Sequence, residues 1–197
     1  MDNQTLEYYG ANAADFYDGT VNVDMSSLYI HFEAYLKPDM HIMDLGCGSG
    51  RDSKYFLSKG YKVTAVDGSR ELCQLASKLI GQEVLHLRFR DLEFHEEFDA
   101  VWACASLVHV KKSHMTEVLA RVLQSIKPNG ILYVSYKYGN KQRIKDKRLF
   151  SDYTEQGLVS LFSGFNDIAV KDWWISGDAR ENRDDEKWLN VVVEKER

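Results

Sequence analysis

His41-Ile42-Met43-Asp44-Leu45-Gly46-Cys47-Gly48-Ser49-Gly50-Arg51-Asp52 reads as a short apolar strand, a glycine turn and the opening of a helix. A junction of that kind is where an open parallel sheet presents backbone N–H groups and a helix N-terminus to an adenosine-bearing ligand. The glycines alternate at 46, 48 and 50, and position 51 is Arg, so the pattern is GxGxG and lacks the third glycine of GxGxxG. A dinucleotide-dependent dehydrogenase is thereby disfavoured.

Working outward from that junction, strand and helix patterns alternate. A helix near 52–59 closes at Gly60, a strand at 61–66 follows, and a helix at 69–80 closes at Gly81. Strands are expected at 84–89 and 98–104, then a helix near 113–126 with Met115, Val118, Leu119, Val122 and Ile126 on one face. Pro128-Asn129-Gly130 turns the chain into a strand at 131–136; a helix at 154–163 and strands near 165–175 and 188–194 complete it. Upstream, one helix is expected at 5–17, with Tyr9, Ala13 and Phe16 as its stripe, and another at 26–37. Near-continuous apolar runs at 63–66, 100–105 and 131–134 suit strands covered on both faces. The expected architecture is a doubly wound, mostly parallel α/β sheet in a three-layer α/β/α sandwich.

The 197 residues suit one such domain, with 1–38 as a helical N-terminal lid and 39–197 as the core. Neither a membrane-length apolar run nor a leader pattern is visible, so a cytoplasmic location is the default expectation. Three separated cysteines suggest neither a disulfide framework nor a metal site. A net charge of −5 speaks against a chain wrapped in nucleic acid. One stretch departs from this: between Lys137 and Arg148 six basic residues face Asp146 alone.

Ligands of such sheets bind at the carboxyl ends of the strands, and one chemically suggestive feature follows each of the first four. Gly46–Gly50 follows the first strand, Asp67-Gly68-Ser69 the second, Asp91 the third, and Ala103–His109 the fourth. Asp67 lies 23 residues beyond Asp44, near the spacing of a ribose-binding acid, and an ionised carboxylate accepts from both ribose hydroxyls. Asp91 is placed to accept from an exocyclic amine of adenine. Each feature alone also reads as a tight turn or a helix cap; four in order point to an adenosine site.

With these motifs in place, DLGCGSG (44–50), VTAVDGS (63–69), RDL (90–92), FDAVWACASLVHV (98–110) and IKPNGILYVSYK (126–137) resemble the class I S-adenosylmethionine-dependent methyltransferases. A looser likeness is to small stand-alone bacterial enzymes of the tellurite-resistance type. The resemblance implies a seven-stranded sheet whose last strand is antiparallel, inserted between the fifth and sixth, and S-adenosylmethionine as cofactor with S-adenosylhomocysteine as product. It implies that Gly46, Cys47, Gly48 and Gly50 border the cofactor and Asp44 orders the turn. Asp67, Gly68 and Ser69 would then hold the ribose, Leu72 touch adenine, and Asp91 and Leu92 bind its edge. Ala103 and Ser106 would line the region near the sulfur, and Arg51 would meet the methionine carboxylate.

Tyr8, Tyr9, Phe16 and Tyr17 are candidates for closing the site, with core packing as the plainer alternative. His109 is the best-placed titratable group for a base or acceptor-orienting role. Tyr138 and Arg148 in the basic stretch, and Trp173 and Arg180 near the final hairpin, are candidates for acceptor binding. A small acceptor is the favoured reading, with an anionic one as a candidate and a solvated loop as the plainer reading of the basic stretch. The alternatives are RNA methylation through 137–148 and a non-catalytic cofactor-binding module.

Overall fold

The computed structural model describes residues 3–180, 183 and 185–196. Two short helices, α1 (Asn3–Ala11) and α2 (Ala13–Asp18), precede α3 (Ser26–Glu33). The single helix expected at 5–17 is broken at Asn12, whose φ of −118° leaves helical space and whose side-chain amide donates to the Tyr8 carbonyl at 2.7 Å. Then come β1 (His41–Leu45), α4 (Arg51–Ser58), β2 (Lys62–Asp67), α5 (Arg70–Ile80), β3 (Leu85–His86) and β4 (Phe98–Ala103). After α6 (Lys112–Ser125), β5 (Ile126–Lys137) leads into a hairpin of β6 (Gln142–Lys145) and β7 (Arg148–Ser151). The chain ends with α7 (Glu155–Phe162), β8 (Ile168–Gly177) and β9 (Lys187–Lys195).

Seven strands form one sheet in the order β3-β2-β1-β4-β5-β9-β8. β1 through β5 run parallel, whereas β9 runs antiparallel between β5 and β8. Strand parity divides the core. Met43, Leu45, Val101, Ala103, Leu132 and Val134 face α6 and α7. Ile42, Ala100, Trp102, Ile131 and Tyr133 face α3 and α4, and Ala65 packs beneath α5. Helices therefore cover both faces, and the doubly wound three-layer reading holds. No helix among the described residues is long and apolar enough to cross a membrane.

Local chemistry sets the boundaries that place the site. Ser69 caps α5 by accepting from the Leu72 N–H at 3.3 Å, and Gly81 ends that helix at φ 71°. The turn expected at 128–130 is a bulge inside β5: Phe98 pairs with Ile126 and Ala100 with Ile131, so residues 127–130 loop out between them. Of the expected lid, α1 and α2 lie across α5, and α1 meets β7. α3 instead belongs to the helical layer, with Phe32 fully buried among Phe56, Trp102 and Tyr133.

Candidate functional site

The carboxyl ends of β1, β2 and β4 open into a cavity of about 390 Å³. α1, α2, the β6–β7 hairpin and the approach to β9 also contribute residues to its wall. One side is a shelf made by the turns after β1 and β2. Gly46 has φ 81°, and a Cβ there would lie 2.5 Å from the Cβ of Ser106. At Gly48, φ is 56° and a Cβ would meet the Phe16 ring at 3.0 Å. Backbone alone fits at these two positions, which keeps the shelf open to a ligand. Gly50 faces away, against Ala76 of α5.

Asp67 is pinned to this shelf, its Oδ2 accepting from Gly48 N–H at 2.9 Å and its Oδ1 from Ser69 N–H at 2.8 Å. A carboxylate has about four acceptor sites, so capacity remains for two ligand hydroxyls. Burial raises its pKa, opposed by those backbone donors. Leu72 and Cys47 line the cavity beside it; Gly68 and Ser69 sit in the turn behind.

Asp44 lies beneath the turn and not in the wall, accepting from Ser53 Oγ at 2.6 Å. Burial, then the neighbouring Asp52 charge, push its carboxyl up to about 8. Asp52 is a hub: it accepts from Arg51 Nε (2.6 Å) and Nη2 (3.0 Å), Tyr29 Oη (2.6 Å) and Trp102 Nε1 (2.9 Å). These bonds hold the Arg51 guanidinium in the cavity wall.

Beyond β4, Cys104, Ala105 and Ser106 reach the cavity, and Ala103 is buried below them. Ala105 sits at φ 52°, held by its N–H donating to Ser135 Oγ at 2.8 Å. Ser106 Oγ is buried with no hydrogen-bond partner among the described residues. An orphaned hydroxyl in a cavity wall, a glycine cradle and an acid with spare acceptor capacity fit a nucleoside with polar appendages.

Facing the shelf, Tyr9 Oη lies 2.8 Å from His109 Nε2, and His109 Nδ1 lies 2.6 Å from the Leu149 carbonyl. A carbonyl only accepts, so Nδ1 carries the proton and Nε2 accepts from Tyr9. Burial raises the Tyr9 pKa, partly offset by the Arg148 charge, so the phenol stays protonated near neutrality. Arg148 and Arg180 reach the same cavity, whereas several other sequence candidates do not. Asp91 is exposed and pairs with Arg90 at 3.6 Å, and Leu92 is packed in the core. Tyr17 lies outside the wall, Tyr138 is exposed with its hydroxyl on Glu155, and Trp173 projects from the edge strand β8.

Sequence reasoning missed Asp52 as the organiser of Arg51, and it missed Arg183 and Glu186, which line the cavity just before β9. Their proximity to Arg180 in sequence was the available signal. Asp178 anchors this segment, accepting from Arg180 Nε (2.8 Å) and Nη2 (2.7 Å), Trp188 Nε1 (3.2 Å) and Lys137 Nζ (3.4 Å). Burial would raise its carboxyl, but the Arg180 hydrogen bonds and charge outweigh this and hold it well below the usual carboxylate range. A depressed folded pKa stabilises the fold fully above the unfolded value, and that stabilisation fades as pH falls. Asp178→Asn should therefore flatten the loss of melting temperature below about pH 4. Calorimetry between pH 3 and 7 reads this slope; an acid limb as steep as wild type would remove Asp178 from that role.

A family model described as "Methyltransferase domain" matches residues 42–130. YqeM of Bacillus subtilis, which is named as a methyltransferase, is 36% identical over 148 residues, covering 70% of this chain and 60% of that protein. A ubiquinone biosynthesis O-methyltransferase of Rickettsia typhi is 26% identical over 116 residues, 56% of this chain and 46% of that enzyme. The chain thus spans less than two thirds of the length of each of these two relatives. Among solved structures, 1,6-didemethyltoxoflavin-N1-methyltransferase of Burkholderia thailandensis aligns with a TM-score of 0.74 at 22% identity, over 98% of this chain and 91% of that one. That structure holds 1,6-didemethyltoxoflavin and S-adenosylhomocysteine.

Proposed function

We propose that this chain is a class I S-adenosylmethionine-dependent methyltransferase and that it methylates a small acceptor within the cavity between α1 and the β1–β2 shelf. The observation that carries the reading is the placement of the Tyr9–His109 pair and the Gly46–Asp67 shelf in one enclosure. Bound S-adenosylmethionine supplies an electrophilic methyl group on a positively charged sulfonium.

The chain's own residues would do the rest. Asp67 would hold the ribose hydroxyls, Arg51 the methionine carboxylate, and Ser106 a polar atom near the reacting end. Tyr9, Phe16 and Leu6 cover the shelf and exclude water. For a neutral hydroxyl or amine acceptor, a proton must leave as the new bond forms. Tyr9 Oη is suited to take it while passing its own proton to His109 Nε2, since the Leu149 carbonyl fixes His109 with Nδ1 protonated. The imidazolium so formed remains hydrogen-bonded to that carbonyl. An acceptor that is already a thiolate needs no such transfer.

The test is incubation with methyl-labelled cofactor and either fractionated metabolites or RNA. Label is expected in the metabolite fraction. His109→Ala is expected to lower turnover by about 10²–10⁴-fold while S-adenosylhomocysteine affinity, read by calorimetry, stays near wild type. Unchanged turnover would remove His109 from the reaction, and label confined to RNA would transfer the proposal to nucleic acid. Arg143, Lys145 and Arg148 of the basic stretch line the cavity, which supports the small-molecule reading.

A further inference from the structure

We infer that the methyl acceptor carries a carboxylate or phosphate group, held by an arginine subsite of Arg148, Arg180 and Arg183 in the cavity wall. This rests on the methyl-transfer reading above and deepens it by naming the acceptor's chemistry.

Arg148, on β7, is the strongest single observation. Its guanidinium lies 4.5 Å from the Tyr8 ring centre and 5.4 Å from that of Phe150, so it is stacked among aromatic rings with only 13% of the side chain exposed. Its ion pair is with Asp146 at 3.6 Å, a carboxylate that is 62% exposed and therefore well hydrated. Nε of Arg148 is buried without a hydrogen-bond partner among the described residues. A buried guanidinium with an unused donor is costly, and an anion with two oxygens satisfies it in fork geometry.

Arg180 and Arg183 join it from the segment before β9. The Nε and Nη2 of Arg180 are locked on Asp178, which fixes the plane of the guanidinium and leaves Nη1 for a ligand. Arg183 lines the same cavity as Arg148 and Arg180, and burial and the Arg180 charge lower its pKa, with Asp178 opposing and Arg148 adding. Asp178 and Asp146 offset part of this positive charge, and a ligand anion would offset more.

Charge balance among the described residues points the same way. Seven Lys and Arg side chains line the cavity against four Asp and Glu side chains, with Asp152 on Arg143 and Asp146 on Arg148 from outside the lining. The carboxylates are already engaged: Asp52 by Arg51, Asp67 by two backbone donors, Asp178 by Arg180 and Lys137, Glu186 by Lys137 and Lys145. A cationic sulfonium would add to the surplus, so a cationic acceptor is disfavoured and an anionic one offsets it. The anion also draws the acceptor toward Tyr9, whose ring centre lies 6.0 Å from the Arg148 guanidinium.

The experiment is titration calorimetry on protein saturated with S-adenosylhomocysteine, using benzoate, phenyl phosphate and benzyl alcohol as probes. One anion or the other is expected to bind at least about tenfold more tightly than the alcohol, and the better of the two identifies carboxylate or phosphate as the recognised group. Arg148→Gln and Arg183→Gln are each expected to weaken that anion by about ten- to a hundredfold. Arg148→Lys, which keeps the charge and loses the fork, should recover only part of the loss. If Arg148→Gln does not fold, Arg183→Gln decides. Anions binding no better than benzyl alcohol, or unweakened by the Gln substitutions, would overturn the inference. Wild-type protein that fails to bind S-adenosylhomocysteine would instead overturn the methyl-transfer reading beneath it.

Discussion

Asp67→Ala should abolish measurable binding of S-adenosylhomocysteine. In the proposed role, two charge-assisted hydrogen bonds from ribose hydroxyls to this carboxylate would be worth about 1.5–3 kcal/mol each, so affinity should fall by about 10²–10⁴-fold. The loss has a second source. Gly48 N–H and Ser69 N–H both donate to Asp67, and without it the shelf turn and the cap of α5 lose a common anchor. Asp67→Asn keeps one acceptor oxygen and should fall between wild type and alanine. Calorimetry with S-adenosylhomocysteine, alongside circular dichroism to establish folding, reads the effect. A folded Asp67→Ala protein with less than about tenfold weaker binding would remove the ribose role from this residue.

Asp52→Ala is expected to give the largest loss of stability. The substitution strands the Arg51 guanidinium, whose side chain is 19% exposed, and orphans the donors of Tyr29 and Trp102 at once. Removing one partner of a buried ion pair costs about 3–5 kcal/mol. Urea unfolding should show that loss as a lower midpoint with an unchanged slope. Wherever the protein remains folded, S-adenosylhomocysteine affinity should also drop, because Arg51 is no longer aimed into the cavity. A destabilisation below about 1 kcal/mol would mean that Arg51 finds another partner, such as the Thr20 carbonyl it already approaches at 3.4 Å.

The order of strands and helices was legible because each half of the pattern carries its own punctuation. The glycine turn after β1, the Ser69 cap and Gly81 around α5, and the apolar runs of β2, β4 and β5 agree with one another. Asp67 was legible for the same reason, being the acid at the end of a well-marked strand.

The β6–β7 hairpin was not. Its strands are four residues each, neither alternates cleanly, and its turn is Asp146-Lys147, both at positive φ (50° and 63°) without the glycine that usually marks such turns. It therefore read as a charged loop. Asp91 misled because it sits in a turn just after an edge strand only two residues long, where nothing compels its side chain inward. The Asp52 hub was invisible for another reason. Apart from the adjacent Arg51, its partners come from α3 and β4, 23 and 50 residues away, and no local spacing records such a meeting.

The two halves of the enclosure have different origins along the chain, and this bears on how such a protein diversifies. Everything proposed to grip the donor stands on turns between core strands, where a substitution disturbs the scaffold. Tyr9, Arg148, Arg180 and Arg183 stand on an amino-terminal helix, a hairpin excursion and a carboxyl-terminal loop, none of them within residues 42–130. Selection can rewrite these appendages while the shared frame persists. Kinship detected through the frame alone therefore reports which donor is used and stays silent on what receives the methyl group.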